Sequence, residues 1–299
     1  MVDLTEKNLD HDYHSRVTLD TEFILNNFDQ IAKERAEEKG KAWTPFDQIM
    51  IIKQVKIFNY HDNAVVGTTG REFNKANNIP SLLRKHIYID GEATTEIDIK
   101  SSLPSILYKY AKEGEKEKYG ALITQGQLYE FFAEEMGCKG DRNLAKKAFT
   151  HYLGGKRRSF CNELGNVLKK HFPNLWQWME NIESEHKKKN PNGKKGEVSR
   201  VLQHTESKVI VSMLKSIKKD NIFTVSIHDG VRVKTYHSDL VRDAIEVAFQ
   251  LLVGIRPVLT VEDYVEVDGR DELDQIFSKA TVNTQILEWR AAGIETKLD

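Results

Sequence analysis

Glu96-Ile97-Asp98-Ile99-Lys100-Ser101-Ser102-Leu103-Pro104-Ser105-Ile106-Leu107-Tyr108 opens as a strand and closes as a helix. Ile97 and Ile99 flank one carboxylate, and side chains alternate along a strand, so Asp98 faces away from both isoleucines. Ser101 or Ser102 offers a helix cap, and Pro104 suits a first turn, where no amide donor is needed. A carboxylate that ends a strand beside a helix N-terminus is a natural holder of a divalent cation and a phosphate. Taken alone, the same acid reads first as a charge on a solvated sheet face. Its meaning depends on whether the chain supplies a second carboxylate and a basic surface.

Upstream, Ile87-Tyr88-Ile89, then Asp90-Gly91, then the approach to Asp98 read as strand, turn and second strand. Gly67-Thr68-Thr69-Gly70-Arg71 is a hydroxyl-rich turn with a cation, followed by Lys75, Arg84, Lys85 and His86. The forked donors of Arg71 and Arg84 suit phosphates, and the same residues also fit an ordinary surface loop. Residues 1–65 read mostly as helix. Phe23, Ile24, Phe28 and Ile31 recur at helical spacing, and Phe46, Ile49, Ile52, Val55 and Ile57 give a second apolar face after Pro45. Both read as packing faces.

Downstream, 105–136 reads helical with a polar break at Glu113–Lys118. Asp141 can cap a helix in which Arg142, Lys146 and Lys147 share roughly one face, before Gly154-Gly155 and the triplet Lys156, Arg157 and Arg158. Across Lys139–Lys170 cations outnumber acids, whereas a merely solvated helix interleaves both signs. A polyanionic partner follows. Of Trp176 and Trp178, two apart, one reads as core and the other as boundary. Lys187–Lys195 reads as an exposed basic loop. Glu197–Ile217 is an amphipathic helix, with Gln203 and Glu206 as its more exposed polar residues. Phe223–Val233 then alternates as a hairpin whose Asp229-Gly230 turn lifts His228 and Asp229 to the tip. Ser238–Val253 reads as helix, Pro257–Val267 as strand, and the tail from Asp268 as helix.

The 299 residues suffice for one large core or two to three subdomains, and 39% hydrophobic and 30% charged residues fit a globular protein. A net charge of -1 hides the local basic stretch. Cys138 and Cys161 provide neither a disulfide framework nor a cysteine zinc site. No signal peptide, long apolar run or lipidation motif is visible, which makes a cytoplasmic location and no membrane partner the expectation.

Two carboxylates therefore stand out, Asp98 ending a strand and Asp229 at a hairpin tip, with a basic helix between them in sequence. Phosphoryl transfer by two divalent metals uses shared carboxylates that hold the ions about 4 Å apart, and neighbouring cations to neutralise the leaving pyrophosphate. In this order the segments resemble motifs A, B and C of the family A DNA polymerases and the phage-type single-subunit RNA polymerases. Ile227-His228-Asp229 matches the hydrophobic-His-Asp core of motif C, and Asp98 to Leu107 the acid-led motif A. Arg142 and Lys146 match the Arg and Lys of the fingers helix, and the Gln203–Glu206 helix is similar in placement. The resemblance spans about residues 67–265. Three positions depart from it: Gly154-Gly155 stands where strict spacing puts Tyr-Gly, Gly230 where the DNA polymerases have Glu, and Leu103 at the sugar-gate position. Tyr152 can fill the tyrosine's role if the helix is two residues shorter.

The resemblance implies an α+β fold: a polymerase-like palm of antiparallel sheet with helices (87–110 and 200–299, with a C-terminal helix), helical fingers (111–199) and a helical, thumb-like or template-binding N-terminal region (1–86). It implies a template-directed nucleotidyltransferase, a DNA polymerase without a proofreading domain, of the stripped-down sort found on phages and mobile elements. Primase, RNA polymerase or terminal transferase are alternatives with the same site. A metal-dependent nuclease and a non-catalytic replication protein are alternatives of another kind. Asp98 and Asp229, with the Ile99 carbonyl, would bind two Mg2+, for which Mn2+ can substitute. His228 would support the primer end or orient Asp229. Arg142, Lys146 and Lys147 would bind the triphosphate, Tyr152 would stack near the nascent pair, and Leu103 would meet the sugar. Arg71, Arg84, Lys156, Arg157 and Arg158 would contact primer or template phosphates. The partners implied are a DNA or RNA primer-template, nucleoside triphosphates and replication proteins.

Overall fold

The computed structural model describes residues 16–58, 65–138, 140–156, 159–193, 196–227 and 229–263. They fall into two compact units: 16–98, 213–244 and 260–263 in the first, and 99–212 and 245–259 in the second. The division comes directly after Asp98 and after Ser212. The strand bearing Asp98 thus belongs with the N-terminal helices.

The first unit begins with β1 (Val17–Leu19), α1 (Thr21–Asn26), α2 (Phe28–Lys39) and α3 (Pro45–Ile57). The starts of α1 and α3 follow from side chains that satisfy orphan amides. Asp20 accepts from the Phe23 amide at 3.0 Å, and Thr44 and Asp47 form a reciprocal capping box with Pro45 in the first turn. Next come β2 (Val65–Val66), β3 (Glu72–Phe73), α4 (Lys75–Asn78), α5 (Ser81–Arg84) and β4 (Ile87–Ile89). Ile24, Phe28, Ile31 and Val55 join Val17, Leu19, Ile51 and Ile87 in one buried cluster. Phe46, Ile49 and Ile57, expected on a packing face, are instead exposed, Phe46 by 70%. The helix α3 is apolar on several sides, so periodicity alone did not select Ile51 and Val55 as its inner face.

A four-stranded sheet completes the unit: β5 (Thr94–Ile99), β6 (Thr224–Ile227), β7 (Gly230–Lys234) and β8 (Leu259–Asp263), in the order β6-β7-β5-β8. The β6–β7 hairpin forms as the sequence indicates, with Ile227 opposite Gly230 and two residues in the loop. The Asp90-Gly91 turn also forms, both residues at positive φ (53° and 76°), but it closes on a single Ile89–Glu92 bridge. Beyond it β4 pairs with β1, and β5 pairs antiparallel with β7 from Thr94–Lys234 to Asp98–Gly230. Thr94, Glu96, Ile97 and Ile99 are all buried. The face that carries Asp98 is therefore not a solvated sheet face.

The second unit is helical: α6 (Ser102–Leu107), α7 (Glu113–Thr124), α8 (Leu128–Glu135), α9 (Arg142–Leu153), α10 (Ser159–His171), α11 (Pro173–Lys189) and most of α12 (Glu197–Ile217) and α13 (Ser238–Val253). Tyr119, Phe132, Phe149 and Phe172 form its aromatic centre, with Tyr119 edge-on to Phe172 at 5.1 Å. Glu113–Lys118, read as a break, is the first turn of α7, where acids suit the positive end of the helix dipole. Glu115 is buried and accepts from the Asn174 and Leu175 amides, which caps α11. Lys187–Lys189 belong to α11 rather than to a loop. Neither Trp176 nor Trp178 is core: Leu175 and Met179 fill that role, and Trp178 stacks on Tyr110 with ring centroids 4.0 Å apart. No helix among the described residues is long and apolar enough to cross a membrane.

Candidate active site

The acid-bearing end of the sheet is built by register. Pairing of β5 with β7 sets Asp98 opposite Gly230, and Asp229 is the next residue back along the hairpin. Gly230 is required there, because an added Cβ would lie 2.5 Å from the Ile97 carbonyl oxygen and 3.1 Å from an Asp98 carboxylate oxygen. That absence of a side chain lets the strands close with both acids on the same spot.

The carboxyl groups of Asp98 and Asp229 lie close enough for each to act on the other. Burial first, and the charges of Asp229 and Glu96 next, push the Asp98 carboxyl up to about 7, with Arg84 pulling the other way. Asp98 so placed gives up its proton less readily than an ordinary aspartic acid. The same arrangement of hard oxygen donors, which repel one another when ionised, suits a divalent cation of the Mg2+ or Mn2+ type. Among the described residues no His, Cys, Asp or Glu side chains gather in a group of three or more, and Asp98 and Asp229 are the two carboxylates that meet here. Their chemistry fits such a cation.

The other candidates are distributed as follows. Arg84 is not a surface clamp: its guanidinium lies against Glu96, with Nε donating to Oε2 at 2.9 Å and Nη2 to Oε1 at 2.7 Å. The carboxylate behind it occupies the fork expected to meet phosphate. Arg71 is half-buried at the end of the β2–β3 turn, where its carbonyl accepts from the Gly67 amide at 2.8 Å. His228, Arg157 and Arg158 lie outside the described residues.

In the second unit, Ile99 ends its strand with a buried side chain, and Ser101 follows in the left-handed region at φ 56°. This is a strained conformation for serine, costing about 1–2 kcal/mol, and it makes the strand-to-helix turn abrupt. Neither serine caps α6: Ser101 makes no side-chain cap bond, and Ser102 donates to Glu206 at 2.6 Å. Glu206, read as exposed, is wholly buried. Leu103 is half-buried.

Asp141 caps α9 through the Leu144 amide, and Lys146 and Lys147 project into solvent from it. Arg142 Nε pairs with Glu130 at 2.8 Å, and its guanidinium lies over the Tyr129 ring. Lys156 is exposed just past the helix. Tyr152 departs from expectation. The helix runs on to Leu153, which leaves Tyr152 buried, its ring against Gly165 and its hydroxyl donating to Glu180 at 2.8 Å. The condition for a stacking tyrosine, a shorter helix, is not met.

Sequence reasoning missed Glu96 and Arg232, buried directly opposite each other beside the acids. The available signal was the i, i+2 spacing of Glu96 and Asp98, which puts both on one face of a strand.

No protein-family model matches the chain, and no curated protein does. Among solved structures it is similar to the POL domain of Pol1 from M. smegmatis, solved in complex with DNA primer-template and dNTP. The TM-score is 0.55 at 10% identity, over 83% of this chain and 66% of that one. The likeness is one of fold, and this chain spans just under two thirds of that chain's length.

Proposed function

We propose that the protein is a template-directed nucleotidyltransferase, a DNA polymerase without a proofreading domain. The carrying observation is the juxtaposition of Asp98 on β5 with Asp229 in the turn that enters β7, in a chain whose fold resembles a polymerase domain. In this reading the four-stranded sheet is the palm, residues 111–199 the fingers, and 1–86 the thumb-like, template-holding region.

Asp98 and Asp229 would hold two Mg2+ or Mn2+, with the Ile99 carbonyl as a further oxygen, and Asp98 would release its proton on doing so. Bound there, the cations supply the charge that lowers the pKa of the attacking 3′-hydroxyl and offsets the charge growing on phosphorus. Arg142, Lys146 and Lys147 bind the triphosphate and neutralise the departing pyrophosphate. Arg142 is free to exchange partners, since its half-exposed pair with Glu130 is worth less than about 1 kcal/mol. Leu103 meets the sugar, and His228 orients Asp229 or the primer end. Arg71, Lys156, Arg157 and Arg158 contact primer or template phosphates. Tyr152 supports the helix from within instead of stacking on the pair.

Incubation with a labelled primer-template, Mg2+ and either deoxynucleotides or ribonucleotides tests the proposal. Template-complementary extension with deoxynucleotides is expected, abolished by Asp98→Asn and by Asp229→Asn. Shortening of the strand without nucleotide, or extension that survives either substitution, would sink it.

A further inference from the structure

A cluster of charged side chains stands behind the acids and takes no part in the reaction as proposed. Glu96 lies two residues before Asp98 on the same face of β5, directly opposite Arg232 of β7. Arg232 is wholly buried. One of its terminal nitrogens donates to Glu96 Oε2 at 2.9 Å, the other to Thr94 Oγ1 at 2.7 Å. Arg84 adds its two parallel bonds to the same carboxylate. Both oxygens of one acid are thus held by two guanidinium groups.

Burying Glu96 and Arg232, with Arg84 part-buried beside them, is a poor source of net stability, because desolvation offsets much of their attraction and apolar residues of similar volume often serve a core equally well. What a buried ion pair does specify is alignment. The opposite face of this ladder carries Ile97 and Ile99 on one strand and Val231 and Val233 on the other. Those aliphatic residues would pack acceptably after a slip of two residues, since side-chain direction repeats with that period. Glu96 and Arg232 would not, as any such slip buries unmatched charge. The alignment that pairs them is the one that puts Asp98 opposite Gly230, beside Asp229.

We propose that Arg84, Glu96 and Arg232 are positioning residues that lock the β5–β7 register and so fix the spacing of the Asp98 and Asp229 carboxylates for divalent-cation binding. The inference rests on the reading of that pair as the cation site. It specifies a job for three residues that touch neither cation nor substrate.

The test is calorimetric titration of the full chain with Mn2+, without nucleotide, alongside thermal unfolding. Asp98→Asn serves as the control and should abolish binding. The apolar triple variant Arg84→Met, Glu96→Leu, Arg232→Met should fold, because no charge is left unmatched, yet bind Mn2+ about 10- to 100-fold more weakly, the range typical of residues that orient metal ligands. Arg232→Lys keeps the charge and loses the fork, and should weaken binding at least tenfold. Wild-type Mn2+ affinity in a folded triple variant overturns the proposal. If the triple variant does not fold, Arg232→Lys decides: undiminished affinity overturns it, and the tenfold loss supports it. A wild-type chain that binds no Mn2+, or an Asp98→Asn chain that still does, overturns the reading of the acid pair and this inference with it.

Discussion

Gly230 lies so close to Ile97 that a methyl group on its Cα would come within 2.5 Å of the Ile97 carbonyl oxygen. The contact is backbone to backbone across paired strands, so neither side can swing away. In Gly230→Ala the strands must part next to Asp98. Overpacking of this kind costs about 1–3 kcal/mol, which denaturant unfolding would measure. Extension activity should fall much further than stability, since the separation opens between the two acids. A Gly230→Ala protein with native activity would show that the close approach has no role in the chemistry.

Asp98 makes stability depend on pH in an unusual direction. Its folded value of about 7 lies above the roughly 3.9 of an unfolded aspartate, so between those values the folded chain holds a proton that the unfolded chain has lost. Stability should therefore fall as pH rises from about 4 to about 7 and stay lowered above that, by an amount on the order of 1–3 kcal/mol. Asp98→Asn should lack this component and unfold several degrees higher than wild type at pH 8. Added Mg2+ should raise the wild-type midpoint at pH 8 and leave that of Asp98→Asn unchanged. A wild-type midpoint indifferent to Mg2+ would count against cation binding by the pair.

Lys146 and Lys147 project from α9 into solvent, so truncating them should leave the fold intact. If they bind a triphosphate, each loses charge-assisted bonds worth about 1.5–3 kcal/mol on substitution by alanine. Steady-state kinetics should show KM for the nucleotide rising at least tenfold for Lys146→Ala, with thermal unfolding unchanged. An unchanged KM removes α9 from nucleotide binding.

Tyr152→Phe offers the converse case. It deletes a hydroxyl that donates to Glu180 inside the second unit. A loss of about 1 kcal/mol in stability is expected, with KM for nucleotide within twofold of wild type. A large rise in KM would return Tyr152 to the nucleotide pocket.

Much of this was legible in the sequence, in two forms. Local chemistry fixed the Asp229-Gly230 hairpin and the Asp141 cap, where neighbouring residues decide the outcome. Motif order pointed to Asp98 and Asp229 together, although nothing in either stretch says that they touch. Long-range pairing was not legible. The strand at Ile87–Ile89 looks built to fold back on Thr94–Ile99, and only the competition from Val17–Leu19 and Gly230–Lys234 reveals otherwise. Arg84 and Glu206 failed for one reason: a charged residue reads as exposed unless its buried partner is known, and Glu96 and Ser102 are 12 and 104 residues away. Tyr152 turned on a helix end, the kind of boundary that sequence locates least well.

The strand Thr94–Ile99 places two carboxylates about 7 Å apart along its length in opposite electrical surroundings. Glu96 is enclosed by guanidinium groups, one of them with no exposed surface, whereas Asp98 stands at the end of the sheet with a like-charged neighbour. Dissolved ions screen only charges they can approach. Raising ionic strength should therefore soften the repulsion between Asp98 and Asp229 while leaving the Glu96 cluster untouched. Salt acts on the chemistry of this strand and has no purchase on its alignment.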